Sequence, residues 1–225
     1  MKHILTSIIV AILFLVNLSV LQSCSNLHSP KGKTIFFIGD SYVRNHRCPV
    51  EETWHYKAAT QLGMTYHNLG RNGACIAFNR NKEGFGPSLL ERYRQIPDST
   101  DYIVVIAGHN DARKTEDNPE ALDIFHQRLD SLCFGLRTYY PKARIGFVTP
   151  WDVPLSGFKE VNNLIHEVCN KYEIPVFDAA TQSDIAVADS AFRAQYFQGA
   201  NDQAHLNDAG HNLMVEKGKT FIQSL

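Results

Sequence analysis

A serine, an aspartate and a histidine in this chain have the side chains and the spacing that nucleophilic catalysis requires. Ser41 ends the short sequence Gly39-Asp40-Ser41, and Asp202 precedes His205 by three residues. A serine hydroxyl becomes a useful nucleophile when a base takes its proton, and histidine suits that role because its unperturbed pKa lies near neutrality. On a tight turn, Asp202 can reach the imidazole nitrogen that faces away from the serine and fix its tautomer. The three residues therefore predict a catalytic triad.

Ser41 follows the first of five predicted strands. Residues 34–38 form a run of five residues, four of them apolar, and such a continuous pattern is typical of a buried parallel strand. Between the strands lie segments with helical spacing, of which residues 118–139 are the longest. The other predicted strands are 64–69, 102–107, 143–149 and 174–177, and the other predicted helices are about 50–62, 87–95, 157–171 and 208–223. Residues 42–49 are predicted to form a polar loop, and residues 179–200 are predicted to have mixed secondary structure.

Strands and helices alternate along the chain, which predicts an α/β fold. We expect a doubly wound, three-layer α/β/α sandwich around a five-stranded parallel sheet. The polar groups at Ser41, at Asn68 to Gly73 and at Gly108 to Asp111 each follow a predicted strand. The carboxyl ends of parallel strands meet at one edge of a sheet, where open α/β sheets bind their ligands. That edge is the predicted active site.

Four sequence blocks, in their order along the chain, resemble the SGNH hydrolases, also called the GDSL family of esterases and lipases. The blocks are Gly39-Asp40-Ser41, Gly73 within Asn-x-Gly-x-x-Gly, Gly108-x-Asn110-Asp111 and Asp202-x-x-His205. The resemblance extends from Thr34 to the C-terminus and implies the flavodoxin-like fold of that family. A Gly-x-Ser-x-Gly sequence, typical of the α/β-hydrolase nucleophile elbow, is absent around Ser41.

The resemblance also implies which groups stabilise the oxyanion. These are the backbone N–H of Ser41, the backbone N–H of Gly73 and the side-chain amide of Asn110. Glycine suits the second position because its backbone can approach a substrate closely, and asparagine supplies an N–H without a charge. Gly70 is the competing glycine, although a turn explains it more simply.

Other residues near the predicted site have less specific signals. Tyr42, His109 and Trp151 are candidates for lining the substrate site, and loop aromatics are candidates for stacking on a sugar. The further aromatics of this kind are Phe78, Phe85, Tyr196 and Phe197. We interpret Asp40 and Asp111 as supports of their loops, because the side chains of adjacent residues such as Asp40 and Ser41 diverge.

The expected reaction is hydrolysis of an ester through an acyl-enzyme. The short loops after the strands favour an open site. The preferred hypothesis is a small-acyl (acetyl) esterase that acts on carbohydrate. A lysophospholipase or other lipid esterase is the enzymatic alternative. A non-catalytic binding lipoprotein that retains a hydrolase fold is the alternative from another class.

The N-terminus has the pattern of an export signal. A basic start precedes a mostly apolar run from Ile4 to Leu21, and Leu21-Gln22-Ser23-Cys24 resembles a bacterial lipobox with Cys24 as the lipidated residue. An ordinary signal peptide or an uncleaved anchor is the alternative. We therefore divide the chain into a signal peptide (1–23), a flexible tether (24–33) and a hydrolase domain (34–225). This predicts a bacterial cell-envelope protein that touches the membrane only through its lipid anchor.

The net charge and the residue types limit the kinds of molecule that the protein is expected to bind. A net charge of −1 gives no indication of nucleic-acid binding, so the expected partner is a small-molecule or glycan ester. We expect no cofactor and no metal, because Asp202, His205 and His211 lack the helical spacing of zinc ligands. Cys48 and Cys75 are either a disulfide or free thiols. Cys133 and Cys169 are predicted to lie in the core.

Overall fold

The computed structural model describes residues 29–225, and the predicted signal peptide and Cys24 lie outside this range. All five strands of the sheet are parallel and run in the order β2-β1-β3-β4-β5. The strands are β1 (Thr34–Gly39), β2 (Thr65–Gly70), β3 (Tyr102–Ile106), β4 (Arg144–Val148) and β5 (Val176–Phe177). The α/β fold with a five-stranded parallel sheet is thus confirmed.

Nine α-helices connect or follow the strands in the described part of the chain. They are α1 (Ser41–Arg44), α2 (Trp54–Gln61), α3 (Leu89–Arg92), α4 (His109–Thr115), α5 (Pro119–Tyr139), α6 (Phe158–Lys171), α7 (Ala179–Gln182), α8 (Ser190–Tyr196) and α9 (Asp208–Ser224). The chain winds from β1 outward to β2, then returns past β1 to β3. Since parallel crossovers are right-handed, the two winding directions place helices on opposite faces of the sheet.

The centre of the core is formed by β1 and β3. Every residue of β3 is buried, as are the last five residues of β1, which explains why both strands read as continuous apolar runs. Helix α5 packs its apolar stripe inward through Phe125, Leu129 and Leu136. The change in winding direction falls between β1 and β3, and it opens a crevice at their carboxyl ends.

The main differences from the sequence prediction are short helices. Residues 41–44 form α1 and residues 109–115 form α4, although 42–49 were expected as a loop and no helix was predicted at α4. Helix α2 begins only at Trp54, because the Thr53 hydroxyl accepts the N–H of Tyr56 and caps it there. Helices α1 and α4 are too short for a helical spacing of apolar residues to be detected in the sequence.

The folded structure also begins earlier than the predicted start of the hydrolase domain at residue 34. Within the predicted tether, Gly32 donates its N–H to the carbonyl of Gly63, and Lys33 donates its N–H to Pro30. The Lys33 ammonium also pairs with Asp101 at 2.9 Å. Residues 30–33 therefore form a turn that belongs to the folded domain.

The four cysteines of the described region are free thiols. Cys133 and Cys169 are fully buried, as predicted, whereas Cys48 is partly exposed. Among residues 29–225, no helix is both long and apolar enough to cross a bilayer.

Replacing Gly39 with alanine tests the close contact between β1 and β3. An added Cβ would lie 2.0 Å from the carbonyl oxygen of Ile106 and 2.6 Å from Cγ2 of Val43. We expect Gly39→Ala to lower the free energy of unfolding by at least about 3 kcal/mol, because backbone must move. Gly199→Ala, where the Cβ meets nothing within 4 Å, is the matched control and should change stability by less than about 0.5 kcal/mol. Equal stabilities of the two variants in urea denaturation would contradict this account.

Candidate active site

Ser41 is the first residue of α1 and lies directly beyond the end of β1. Asp40 caps this helix, because its buried carboxylate accepts the backbone N–H of Tyr42 at 2.8 Å. The guanidinium of Arg92 binds the carbonyl oxygens of Gly39 (2.6 Å) and Leu69 (2.5 Å). These contacts fix the end of β1 relative to β2, and they hold the serine in one orientation.

The structure brings the serine, the histidine and the aspartate into a continuous chain of hydrogen bonds. His205 Nε2 lies 2.9 Å from Ser41 Oγ, and His205 Nδ1 lies 2.9 Å from Asp202 Oδ2. The other carboxylate oxygen of Asp202 accepts the backbone N–H groups of Ala204 (2.8 Å) and His205 (2.9 Å). This geometry leaves Nε2 as the acceptor that faces the serine hydroxyl.

Asp202 remains ionised although it is partly buried. Burial raises the pKa of this carboxyl, but the hydrogen bonds from the His205 imidazole and from the two backbone N–H groups outweigh burial and bring the pKa to about 2. At neutral pH the carboxylate can therefore stabilise a protonated His205.

Trp151 supports the loop that carries the histidine. Its indole N–H donates to the carbonyl of Ala204 at 2.7 Å, and its ring packs on Tyr42 with 4.7 Å between ring centroids. The Tyr42 hydroxyl in turn contacts His109 Nδ1 at 3.2 Å. All three side chains are buried, but His109 lines the cleft, whereas Tyr42 and Trp151, which were expected to line it, lie beneath it.

The second group of polar residues surrounds Gly73 and Asn110. Gly73 has a φ of 73°, in the left-handed region that favours glycine. The side-chain amide of Asn110 donates one hydrogen to the carbonyl of Ala74 at 3.0 Å, and its contact with Asp40 is long, at 3.4 Å. The amide is thus oriented by the loop that follows β2, and its second hydrogen has no short partner among the described residues.

Asp111 joins this loop to α4. Its two carboxylate oxygens accept the backbone N–H groups of Ile76 (2.8 Å) and Ala77 (3.0 Å). Burial raises the pKa of Asp111 to about 6, against the lowering effect of these two hydrogen bonds. The carboxyl group thereby sets the position of Asn110, its neighbour on α4.

His46, which the sequence allows either as a residue lining the site or as a plain loop residue, lines the cleft and contacts the catalytic histidine. Its ring stacks on His205 with 4.2 Å between centroids and an interplanar angle of 14°. Burial, followed by the nearby His205 and Arg47, lowers the pKa of His46. Its backbone φ of 37° is unusual for a residue other than glycine, and no sequence signal marks that conformation. His211, by contrast, is buried and faces Asn45 at 3.2 Å, away from the triad.

These residues surround a cleft of about 440 Å³. Its polar and charged lining comes from the segments after β1, β2 and β3 and from residues 201–205, which precede α9, and one wall, formed by residues 153–155, is apolar. Among the aromatics singled out from the sequence, Phe85 lines the cleft. The three arginines of the lining, Arg47, Arg80 and Arg113, have no sequence motif that would reveal them. No cluster of metal-binding side chains occurs within the described residues.

A comparison with known families gives a match over most of the chain. Residues 37–213 match the GDSL-like lipase/acylhydrolase family. The chain belongs to this family. This GDSL-like protein is therefore an ester-bond hydrolase. Comparison with curated proteins gives no match.

Solved structures share the fold of the GDSL-like chain. A protein from Lactobacillus plantarum has 23% identity and a TM-score of 0.73, with coverage of 86% of this chain and 98% of its own. A family two carbohydrate esterase from Clostridium thermocellum has 17% identity and a TM-score of 0.63, covering 88% and 65%. An aryl esterase from M. smegmatis has 15% identity and a TM-score of 0.59, covering 86% and 100%. At these identities the likeness shows the fold.

The buried cap at Asp40 gives a prediction for stability against pH. Burial raises the pKa of Asp40 from 3.8 to about 7, against the lowering effect of the Tyr42 N–H. The folded protein therefore binds this proton more tightly than the unfolded chain. Relative to Asp40→Asn, we expect the wild-type free energy of unfolding to fall by up to about 1.4 kcal/mol per pH unit from about pH 4 to 7.

Urea unfolding at several pH values measures this difference. Asn retains an oxygen that accepts the Tyr42 N–H, so the cap geometry is kept. The exposed Asp123→Asn is the control, and its difference from the wild type should not follow the Asp40 curve. Parallel curves for wild type and Asp40→Asn would contradict the assignment.

Proposed function

We propose that the GDSL-like protein hydrolyses esters through an acyl-enzyme on Ser41. The observation that supports this most strongly is the chain of two 2.9 Å contacts from Ser41 through His205 to Asp202. Ser41 Oγ attacks the ester carbonyl while its proton passes to His205 Nε2. The bond between the acyl carbon and the alcohol oxygen breaks, and His205 returns the proton to the departing alcohol. Water then attacks the acyl-enzyme by the same route and releases the acid.

The proposed oxyanion donors are the N–H groups of Ser41 and Gly73 and the amide of Asn110. Supporting evidence is that all three residues line one cleft and that Asn110 is held by Ala74. Fixed donors of this kind act where water is partly excluded, and each is worth a large factor in rate.

We propose a small acyl group, preferably acetyl, and a carbohydrate as the alcohol part. The cleft is modest in volume, and its polar lining includes amide side chains that suit sugar hydroxyls. The amide residues are Asn72, Asn110, Asn201 and Gln203. Its apolar lining is confined, within the described residues, to Phe85, Ala204 and residues 153–155, which is little surface for a long acyl chain. The carbohydrate esterase from Clostridium thermocellum, which shares the fold, is consistent with this choice.

A lipid esterase remains the second candidate, since the family name covers lipases and residues 153–155 offer an apolar wall. The family match and the aligned triad both speak against the non-catalytic binding lipoprotein.

Hydrolysis of p-nitrophenyl esters from acetyl to dodecanoyl tests the proposal. We expect the highest kcat/KM for acetyl. Ser41→Ala should lower kcat by at least about 10³-fold, because the nucleophile is lost. Asn110→Ala should lower it by about 10²–10³-fold. A maximum at long chains would favour the lipid esterase, and turnover unaffected by Ser41→Ala would refute the mechanism.

We also propose that the protein is anchored to the bacterial envelope through a lipid on Cys24. The support is the sequence before this cysteine. In a bacterial host, Cys24→Ala should move the protein from the membrane fraction to the soluble fraction, because the attachment site is lost. The Ser41→Ala variant is the control for expression level and should stay with the membranes. Membrane association of Cys24→Ala would exclude this anchor.

A further inference from the structure

The cleft carries more positive charge than the protein as a whole. Its lining contains three arginines, Arg47, Arg80 and Arg113, and one carboxylate, Asp202. Asp202 is already paired with His205 at 2.9 Å. The whole chain, by contrast, has a net charge of −1. The excess of cations is therefore local to the site.

Arg80 has partners within the protein. It binds Glu83 at 2.6 Å and the carbonyl of Gly73 at 2.7 Å, and it stacks over the ring of Phe85. Glu83 also binds Lys114 at 2.8 Å. One carboxylate is shared between two cations, so this group retains one positive charge beside the cleft.

Arg47 and Arg113 are different, because their charged ends are available. Both side chains are exposed. Arg113 uses its Nε to contact His109 Nε2 at 3.3 Å, which leaves both terminal nitrogens without a partner in the described protein. Arg47 makes no hydrogen bond or ion pair with any described residue. The terminal nitrogens of both guanidinium groups are therefore available to a ligand in the cleft.

The two arginines flank the reacting centre. Arg47 follows His46, whose ring stacks on His205, and Arg113 lies one turn beyond Asn110 on α4. A guanidinium presents paired N–H groups that match a carboxylate or a phosphate. Like charges gathered around a cleft also concentrate anionic ligands there.

From this arrangement we propose that the natural substrate is an ester whose alcohol part carries an anionic group, a carboxylate or a phosphate, bound by Arg47 and Arg113. This inference rests on the proposed esterase function and refines its substrate class. The acidic carbohydrate would contact the arginines while its acyl ester lies over Ser41. Residues 153–155 would then face the uncharged part of the substrate.

A matched set of acetylated sugars tests the proposal. The set consists of galactose, galacturonic acid, methyl galacturonate and galactose 6-phosphate, each acetylated at the same ring hydroxyl, with acetate release as the readout. We expect kcat/KM for acetylated galacturonic acid or acetylated galactose 6-phosphate to exceed the kcat/KM for the acetylated neutral sugars by about 10-fold or more. Methyl galacturonate isolates the charge, and the two acidic sugars distinguish carboxylate from phosphate.

Variants identify the groups responsible for the preference. Arg47→Gln and Arg113→Gln should each lower the ratio of kcat/KM between acidic and neutral sugars by about 10-fold, and Arg47→Lys should restore part of it. Arg44→Gln is the matched control, because Arg44 is exposed on α1 and does not line the cleft. Equal losses on acidic and neutral esters would mean general stabilisation of the oxyanion and would overturn the proposal.

Hydrolysis of p-nitrophenyl acetate tests the esterase function separately from the proposed substrate preference. If the wild type hydrolyses this ester through Ser41 and shows no preference for the acidic sugars, the substrate proposal is wrong and the esterase stands. If Ser41-dependent turnover is absent for every ester, the proposed function itself fails.

Discussion

The hydrogen bond between Ser41 Oγ and His205 Nε2 joins side chains 164 positions apart, and the rest of the site depends on it. A contact of this kind cannot form from local structure, so each partner must be held by its own part of the fold. Ser41 is held at the end of β1 by the cap of Asp40 and by the bonds of Arg92 to the strand ends. His205 is held by the carboxylate of Asp202 and by the loop that Trp151 binds from below.

Two buried carboxyl groups brace the same edge of the sheet. Asp40 and Asp111 are fully buried, and burial raises the pKa of both. Each accepts backbone N–H groups that would otherwise have no partner, at the start of α1 and in residues 76–77. The energetic cost of burying these acids is tolerated because they align the nucleophile with the amide of Asn110. Neither carboxyl is placed to act as the base.

The sequence was sufficient for the sheet and for the residues of the triad, since continuous apolar strands and polar groups at their ends are local signals. Helices α1 and α4 were not predicted, because they are short and begin at the turns that place Ser41 and Asn110. Tyr42 and Trp151 were expected to line the substrate site, but tertiary packing buries them beneath it. The stacking of His46 on His205 and the grouping of the arginines depend on distant segments, which no local pattern reports.

Intact-mass spectrometry shows directly whether Ser41 carries the acyl group during turnover. The protein would be mixed with excess p-nitrophenyl acetate, stopped in acid after a short time and digested to locate the adduct. We expect a mass increase of one acetyl group on the peptide that contains Ser41, and no such adduct in Ser41→Ala. Because both the attack by Ser41 and the attack by water need the base, the adduct should form more slowly in His205→Ala and, once formed, persist longer. An adduct on another residue, or rapid turnover by the wild type with none on Ser41, would show that Ser41 is not the nucleophile.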